Sequence, residues 1–332
     1  MDRTSASPTM RFAMILVGLA ALDPPYLPAE EPAPAGQAAA ATVGAEPVTI
    51  GEVERFLARV LHGRAPGPEL LPYARAQGLE EIIARRLVLI YAGRKGEAAT
   101  DEERAAATAR LKSRLAAQHR SIADQLKAEG ISQADLRRQL AWDIVWDKYL
   151  GRYLSAERRA AYFQAHRREL DGSQLVVSHV LLRPAAGAGP AAVAGLLKQA
   201  EGLRRRIVAG ELTFADAARQ YSTGPSRSSG GRLGPIGRHG PMDESFSRAA
   251  FALAVGQVSP PVQTPFGVHL IRCDEVRPGS QQLADAGQQV DDALARELLE
   301  KLAALERRAT PVSYTGAWPH FQPGTRTLAP SD

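Results

Sequence analysis

Two short, mostly apolar segments predict β-strands, in which successive side chains lie on alternate faces with a period of two. In residues 264–273, TPFGVHLIRC, a turn precedes a strand whose apolar face also carries His269. In residues 176–184, VVSHVLLRP, the same kind of face carries His179. A lone histidine in such a place is more often a packed core residue than a functional one. A second histidine in an equivalent place weakens that interpretation.

Helical spacing replaces this alternation between about residues 48 and 170. Apolar residues recur three or four positions apart, and Thr100 and Ser132, each followed three positions later by an acidic residue, mark helix starts. Near the other end of the chain, an apolar stripe that begins at Val290 predicts a helix over about 281–309. We expect this helix to pack against the 48–170 helices, because its stripe needs an apolar partner.

Four aromatic residues, Trp142, Trp146, Tyr149 and Tyr153, lie on one face of a predicted helix. Two interpretations stay open. The rings either pack against a neighbouring helix, as large aromatic side chains usually do, or line a groove that binds unfolded peptide.

Between residues 173 and 275 the pattern becomes mixed. The predicted elements are, in order, a strand (175–183), two helices (190–209 and 213–221), a glycine-rich loop (222–241), a helix (243–253) and two strands (258–263 and 267–273). Helical sequence flanks this segment on both sides. We therefore predict an α+β protein in which an α/β domain, built around a small antiparallel-rich sheet, is inserted into a helical module of N-terminal helices and one C-terminal helix.

The ends of the chain differ in composition from the rest. An apolar run at residues 12–22 follows two arginines and is shorter than the ~20 residues that span a bilayer. It indicates a signal peptide, hence export to the periplasm or cell envelope without stable membrane insertion of the mature protein; a stray apolar N-terminus is the alternative. The predicted boundaries are 1–22 for this segment, 23–47 for an unpacked Pro/Ala-rich linker, 48–172 for the helical domain, 173–275 for the α/β domain, 276–310 for the C-terminal helix and 311–332 for a loose tail.

Composition excludes several classes of function. The chain has 332 residues, a formal net charge of +5 and basic residues interleaved with acidic ones, which indicates solvated helix faces and no nucleic-acid partner. A basic helical nucleic-acid binder would also fit the charge but conflicts with the export signal. Cys273 is the single cysteine, so no intrachain disulfide forms. The spacings CxxC, HExxH and GxxxxGK[ST] are absent, so we expect no metal, no cofactor and no P-loop. Nothing indicates an oligomeric state.

The glycine-rich loop, YSTGPSRSSGGRLGPIGRHGPMDESF, follows a predicted helix and lacks the GxGxxG spacing of a dinucleotide site. Its surroundings carry a different signature. The His179 strand, FADAARQYS, GGRLG, MxxxF, AAFAL and GQVSPPVQTPFGVHLI occur in one order that resembles the parvulin family of peptidyl-prolyl isomerases. The helical flanks resemble exported SurA-like chaperone-isomerases and PrsA-like foldases. Because no cysteine follows the apolar run, the PrsA type, with its lipid anchor, fits less well.

The resemblance implies roles for particular residues. His179 and His269 match the paired histidines under the parvulin active site, and Thr264 matches a threonine that hydrogen-bonds to them. Leu233, Met242 and Phe246 match the apolar wall that receives the proline ring, and Phe266 joins these substrate-binding positions. The implied activity is cis–trans isomerisation of X-Pro bonds in unfolded or exported polypeptides, with client holding. Neither histidine is assigned as a nucleophile.

Two positions depart from the family pattern. Gly224 stands where parvulins usually carry Cys or Asp, and Arg232 stands where an acid is usual. Ser222, Thr223 or Ser226 are the candidates to supply a hydroxyl instead. The departures leave open an alternative: a parvulin-fold chaperone that binds peptide with little or no turnover. The basic cluster of phosphate-directed parvulins is also absent after the first strand, so we expect no phosphopeptide specificity.

Overall fold

The computed structural model describes residues 38–61, 71–184, 190–264, 266–315, 318–322 and 328–329. The predicted signal peptide and the first part of the predicted linker lie outside these residues. The described residues form two compact units: a helical unit of residues 38–159 and 291–329, and a sheet unit of residues 160–290. The chain thus enters the sheet unit from the helical unit and returns to it. The predicted fold class is confirmed.

The first unit is mainly helical. Its helices are α1 Ile50–Val60, α2 Leu71–Arg94, α3 Asp101–Ala116, α4 Ile122–Glu129, α5 Gln133–Tyr153 and the start of α6 Ala156–Ala165. The capping boxes predicted at Thr100 and Ser132 are both present, each with reciprocal bonds between the cap residue and an acidic side chain three positions on. None of the helices in the described ranges is long and apolar enough to cross a membrane.

A small antiparallel sheet also belongs to the helical unit, and here the sequence prediction is wrong. Strand β1 Ala39–Val43 lies in the predicted linker, β2 Glu46–Thr49 begins in it, and β7 Val312–Tyr314 lies in the predicted loose tail. The strand order is β2-β1-β7. Ala40 and Ala41 are fully buried. An alanine-rich segment has little strand propensity of its own, so this strand depends on pairing with a partner about 270 positions away.

The second unit contains a four-stranded antiparallel sheet with the order β4-β3-β6-β5. Its elements are α7 Arg167–Leu170, β3 Gln174–Leu182, α8 Pro190–Val208, α9 Phe214–Tyr221, β4 Arg232–Gly237, α10 Glu244–Phe251, β5 Val262–Thr264, β6 Gly267–Arg277 and the start of α11 Leu283–Arg307. The prediction of a continuous loop over 222–241 is wrong, because 232–237 pairs with β3. As an edge strand, β4 tolerates Pro235, and its glycines and proline hide its strand character.

The two faces of this sheet bury different clusters. Helices α8 and α9 cover one face, where Val180 and Leu270 meet Phe214. Helix α10 covers the other, where Val177 and Ile271 meet Phe246. Strands β3 and β6 pair so that His179 lies opposite Ile271 and His269 lies opposite Leu181. Facing residues of paired strands share a side of the sheet, so both histidines lie on the α10 side.

The predicted C-terminal helix is present as α11. From residue 291 onward it belongs to the helical unit, where Arg159 pairs with Asp291 and Arg94 pairs with Glu306. Its apolar stripe is buried at Val290, Leu294, Leu298 and Leu302.

Candidate active site

The two sequence-predicted histidines meet on neighbouring central strands. Nδ1 of His179 and Nδ1 of His269 are 3.4 Å apart, and the ring centroids are separated by 5.5 Å. Both side chains are buried, with 7% and 5% of their surface exposed. The two histidines that the resemblance pairs therefore lie within hydrogen-bond reach of each other.

Thr264 extends this pair into a chain of three side chains. Its Oγ1 lies 2.9 Å from Nε2 of His269 and accepts the N–H of Phe266 at 3.1 Å. Thr264 is the last residue of β5 and pairs with Gly267, so a tight turn carries it back beside His269. The order of contacts is therefore Thr264, His269, His179.

Which nitrogen of one histidine ring carries the hydrogen determines which nitrogen of the other ring carries it. A single hydrogen lies between the two Nδ1 atoms when both rings are neutral. If Thr264 donates to His269, then His269 donates to His179, and Nε2 of His179 carries a hydrogen. If His269 donates to Thr264, then Nε2 of His179 becomes an acceptor. That Nε2 is buried and has no hydrogen-bond partner among the described residues.

Burial keeps the rings uncharged. Removal from water lowers the pKa of His269 to about 3, and electrostatic interactions with His179 and Arg183 act in the same direction. Burial also lowers the pKa of His179. At neutral pH the site therefore presents two neutral imidazoles rather than a charged pair.

Phe246 joins the histidines to an apolar wall. Its ring meets His179 edge-on at 5.9 Å and His269 edge-on at 5.3 Å between centroids. Leu233 and Met242 pack into the same apolar cluster as Phe246. The structure thus brings together three of the four predicted substrate-binding residues. Phe266 is 43% exposed and reaches the site through its backbone bond to Thr264.

Gly224 lies directly against the unpartnered histidine nitrogen. A Cβ at this position would lie 3.2 Å from Nε2 of His179 and 3.4 Å from Oγ of Ser222. Its φ is −78°, so the backbone accepts any L-residue there. The glycine is therefore not required by backbone conformation.

Three hydroxyl groups were candidates to replace the polar side chain that is missing at Gly224. None of them has a hydrogen bond to either histidine among the described residues. Ser222 is buried, and its Oγ accepts the N–H groups of Leu181 and Gly224, both at 3.1 Å. Thr223 donates its hydroxyl to the carbonyl of Leu181. Oγ of Ser226 is buried without a partner among the described residues.

The second glycine of the GGRLG motif, Gly231, lies so close to β3 that no side chain fits there. Gly231 has a φ of 83°, and a Cβ there would lie 2.3 Å from the carbonyl oxygen of His179. Its own carbonyl accepts the N–H of His179 at 2.9 Å. The neighbouring Arg232 is exposed and lies opposite Ser178, so it belongs to the other face of the sheet from the histidines.

No group of three or more His, Cys, Asp or Glu side chains in the described part of the chain is arranged to hold a metal ion. The thiol of Cys273 is buried in the sheet. The site offers hydrogen bonding and apolar surface as its chemistry.

Comparison with known proteins gives this region a family. The model of the PPIC-type PPIASE domain matches residues 179–275, from the first histidine to near the end of β6. This region is a parvulin-type domain. It contains every predicted site residue, and its sheet is the one that pairs the two histidines.

Curated relatives match either a part of the chain or most of it. The foldase protein PrsA of Bacillus subtilis is 48% identical over 80 residues, which cover 24% of this chain and 27% of that foldase. The chaperone SurA of Xanthomonas axonopodis pv. citri is 26% identical over 284 residues, covering 81% of this chain and 60% of that chaperone. The chain therefore spans less than two thirds of either relative.

Among solved structures, PrsA from Bacillus anthracis aligns with 70% of this chain and 96% of its own, at 21% identity and a TM-score of 0.37.

The sequence prediction missed one feature near the site. The strand β4, which carries Leu233 into the apolar wall, was hidden by its glycines and proline. The only signal available was the apolar pair Leu233 and Ile236 within the glycine-rich segment.

Proposed function

We propose that this protein is an exported peptidyl-prolyl isomerase that acts on X-Pro bonds of unfolded polypeptides and also holds such clients. The observation that carries the proposal is the buried Thr264–His269–His179 chain of contacts next to the apolar wall of Phe246. The likeness to proteins named as a foldase and a chaperone supports it. The proposed domain bounds are 48–172 for the helical part and 173–275 for the isomerase.

The proposed catalysis is non-covalent. Rotation about a peptide bond faces a barrier of ~18–20 kcal/mol, and an unaided X-Pro bond isomerises over tens to hundreds of seconds. The enzyme must bind the twisted amide better than either planar form, and each ~1.4 kcal/mol of that preference gives a factor of ten in rate. Twisting breaks the amide resonance and makes the C–N bond less polar. A dry apolar wall therefore favours the twisted form.

The proposed role of the histidines follows from their lack of charge. Two neutral, mutually bonded imidazoles hold their ring positions without placing a charge beside the apolar wall. In this proposal Thr264 and His269 are positioning residues, and Leu233, Met242, Phe246 and Phe266 contact the substrate. Gly224 places no side chain against the buried Nε2 of His179.

The alternative function is a parvulin-fold chaperone that binds peptide with little or no turnover. Gly224 favours it, because the family's usual Cys or Asp would place a polar side chain against His179. Arg232 does not favour it, since this side chain lies on the far face of the sheet.

The test is an isomerisation assay with the full chain and a short unphosphorylated X-Pro peptide. The rate of cis–trans exchange of the peptide is measured by NMR exchange spectroscopy. We expect catalysis, a loss of kcat/KM of about tenfold or more in Met242→Ala, and no change in Lys198→Glu, an exposed position on α8. Wild-type turnover equal to the uncatalysed rate would favour the alternative. Client holding is measured separately, by light scattering of an aggregating unfolded protein.

A further inference from the structure

The helical unit contains a surface pocket that plays no part in the site described above. It has a volume of about 350 Å³ and is lined by the last turn of α2 and the residues after it, by the end of α5, and by Leu298 of α11. Tyr91, Tyr149 and Tyr153 supply three aromatic rings to its wall. Two of these tyrosines belong to the aromatic row of α5, whereas the two tryptophans of that row stack on each other at 4.9 Å.

Hydrogen bonds hold the polar part of the pocket in place. Glu97 accepts the hydroxyl of Tyr149 on one oxygen at 2.5 Å and the guanidinium of Arg152 on the other at 2.7 Å. The bond from Arg152, followed by that from Tyr149, lowers the pKa of Glu97. Tyr153 donates its hydroxyl to Glu297 at 3.0 Å. The rings are therefore oriented before any ligand arrives, which lowers the entropic cost of binding.

One cation of the pocket has no acidic partner. Nζ of Lys95 lies 5.7 Å from the ring centroid of Tyr91, and no carboxylate of the described residues pairs with it. Arg152 is paired with Glu97, whereas the charge of Lys95 acts on Glu97 only from beyond ion-pair distance. The pocket thus combines aromatic walls with a cation available to a ligand carboxylate.

We propose that this pocket binds an extended, proline-containing peptide segment with an acidic residue next to the proline. Aromatic-lined grooves favour proline-rich segments, because these are already extended and lose little entropy on binding. A cavity of this size lies at the small end of ligand sites, so it accommodates one or two residues of such a segment. The proposal rests on the proposed client holding and names the chemistry of the client segment that this unit recognises.

The test measures fluorescence anisotropy of a fluorescein-labelled peptide with the repeat Pro-Pro-Glu on the full chain carrying Met242→Ala, which weakens binding at the isomerase site. We expect Lys95→Glu and Tyr91→Leu each to raise Kd about tenfold or more. Lys198→Glu makes the same change of charge on an exposed residue of the sheet unit and is the matched control, with Kd expected to stay within twofold. Exchanging Pro for Ala, or Glu for Lys, in the peptide is expected to weaken binding by a similar factor.

The outcomes separate this pocket from the isomerase site. Equal weakening by Lys95→Glu and Lys198→Glu would mean unspecific charge attraction and overturn the proposal. Unchanged binding of the Ala or Lys peptide would overturn the preference for proline or for acid. In an otherwise wild-type chain, Lys95→Glu is expected to leave kcat/KM for a short X-Pro peptide unchanged, so loss of binding with intact turnover supports the pocket independently of catalysis. Because Lys95 is exposed, its variant is expected to keep the wild-type melting temperature, and this is checked alongside.

Discussion

Nδ1 of His179 and Nδ1 of His269 lie 3.4 Å apart although 90 positions separate them in the chain. Strands β3 and β6 carry them diagonally across the centre of the sheet, and Thr264 completes the contact chain on one side only. On the other side, Nε2 of His179 faces Gly224 without a partner among the described residues. This asymmetry is the basis of the second prediction, whereas the first depends on the burial of His269.

The first prediction concerns the pH dependence of stability. Because the pKa of His269 is about 3 in the folded state and 6.5 in the reference state, the unfolded chain binds a proton between these values and the folded chain does not. Stability from this group is fully present above pH 6.5 and falls as the pH drops toward 3, by up to about 1.4 kcal/mol per pH unit. Urea unfolding at several pH values measures the free energy of unfolding as a function of pH. Its slope between pH 3 and 6.5 is expected to be shallower for His269→Asn than for the wild type.

The matched control removes an exposed histidine. His119→Asn, at a position with a φ of 57° that Asn tolerates, is expected to leave the slope unchanged. An unaltered slope in His269→Asn would show that the imidazole is not held neutral by burial.

The second prediction concerns Gly224. Replacing it with Asp places a carboxylate next to Nε2 of His179, and one added hydrogen bond in a dry site supplies roughly the 1.4 kcal/mol that corresponds to tenfold in rate. We therefore expect Gly224→Asp to raise kcat/KM about tenfold. The added Cβ lies within 3.2 Å of the imidazole, so the ring must shift by a few tenths of an ångström, and the melting temperature is measured alongside.

Gly224→Ala separates sterics from chemistry, because it adds the same Cβ without a polar group. A higher kcat/KM in Gly224→Asp but not in Gly224→Ala would support a role for a polar side chain at this position. Equal rates in both folded variants and in the wild type would mean that the position is dispensable for turnover.

The third prediction concerns Gly231. Alanine there would need a φ of 83° and a Cβ 2.3 Å from the carbonyl oxygen of His179. The backbone strain alone costs about 1–3 kcal/mol, and the added Cβ displaces β3. We therefore expect Gly231→Ala to lower the free energy of unfolding by at least about 2 kcal/mol and to reduce turnover. Gly234→Ala, three residues later in β4 and with nothing within 4 Å of the added Cβ, is expected to change stability by less than about 1 kcal/mol. Denaturant unfolding measures both, and equal stability of the two variants would contradict the close approach.

The fourth prediction concerns Asp143 in α5 of the helical unit. Burial and the charge of Asp147 raise its pKa from 3.8 to about 6, although Arg59, Arg85 and Arg114 act in the opposite direction. The folded state therefore holds a proton that the unfolded state releases, and stability falls as the pH rises from about 4 to 6. Asp143→Asn is expected to stabilise the protein at pH 7 by about 1–3 kcal/mol and to flatten this dependence.

Asp147→Asn, at an exposed position one turn later, is the comparison for the fourth prediction and is expected to have a smaller effect. Thermal unfolding at pH 4.5 and 7 measures both variants. Lower stability of Asp143→Asn at pH 7 would mean that this carboxylate is charged and satisfied in the fold.

Local patterns of sequence were enough to predict the helices, the strand positions of both histidines and the mixed character of residues 173–275. Capping boxes and the alternation of apolar residues depend on neighbours within one or two turns, so they are visible in the chain itself. The proximity of His179 and His269 was inferred from the order of motifs, which resembles a known family.

Tertiary structure alone decided which segments without a local signal become strands. The alanines of β1 and the glycines of β4 form strands only because distant partners supply hydrogen bonds and cover. Tertiary structure also turned half of the α5 aromatic row into a pocket wall, by bringing Tyr91 and Lys95 from the end of α2 beside Tyr149. Such features depend on residues far apart in sequence, and their energy comes from burial and pairing that no single segment contains.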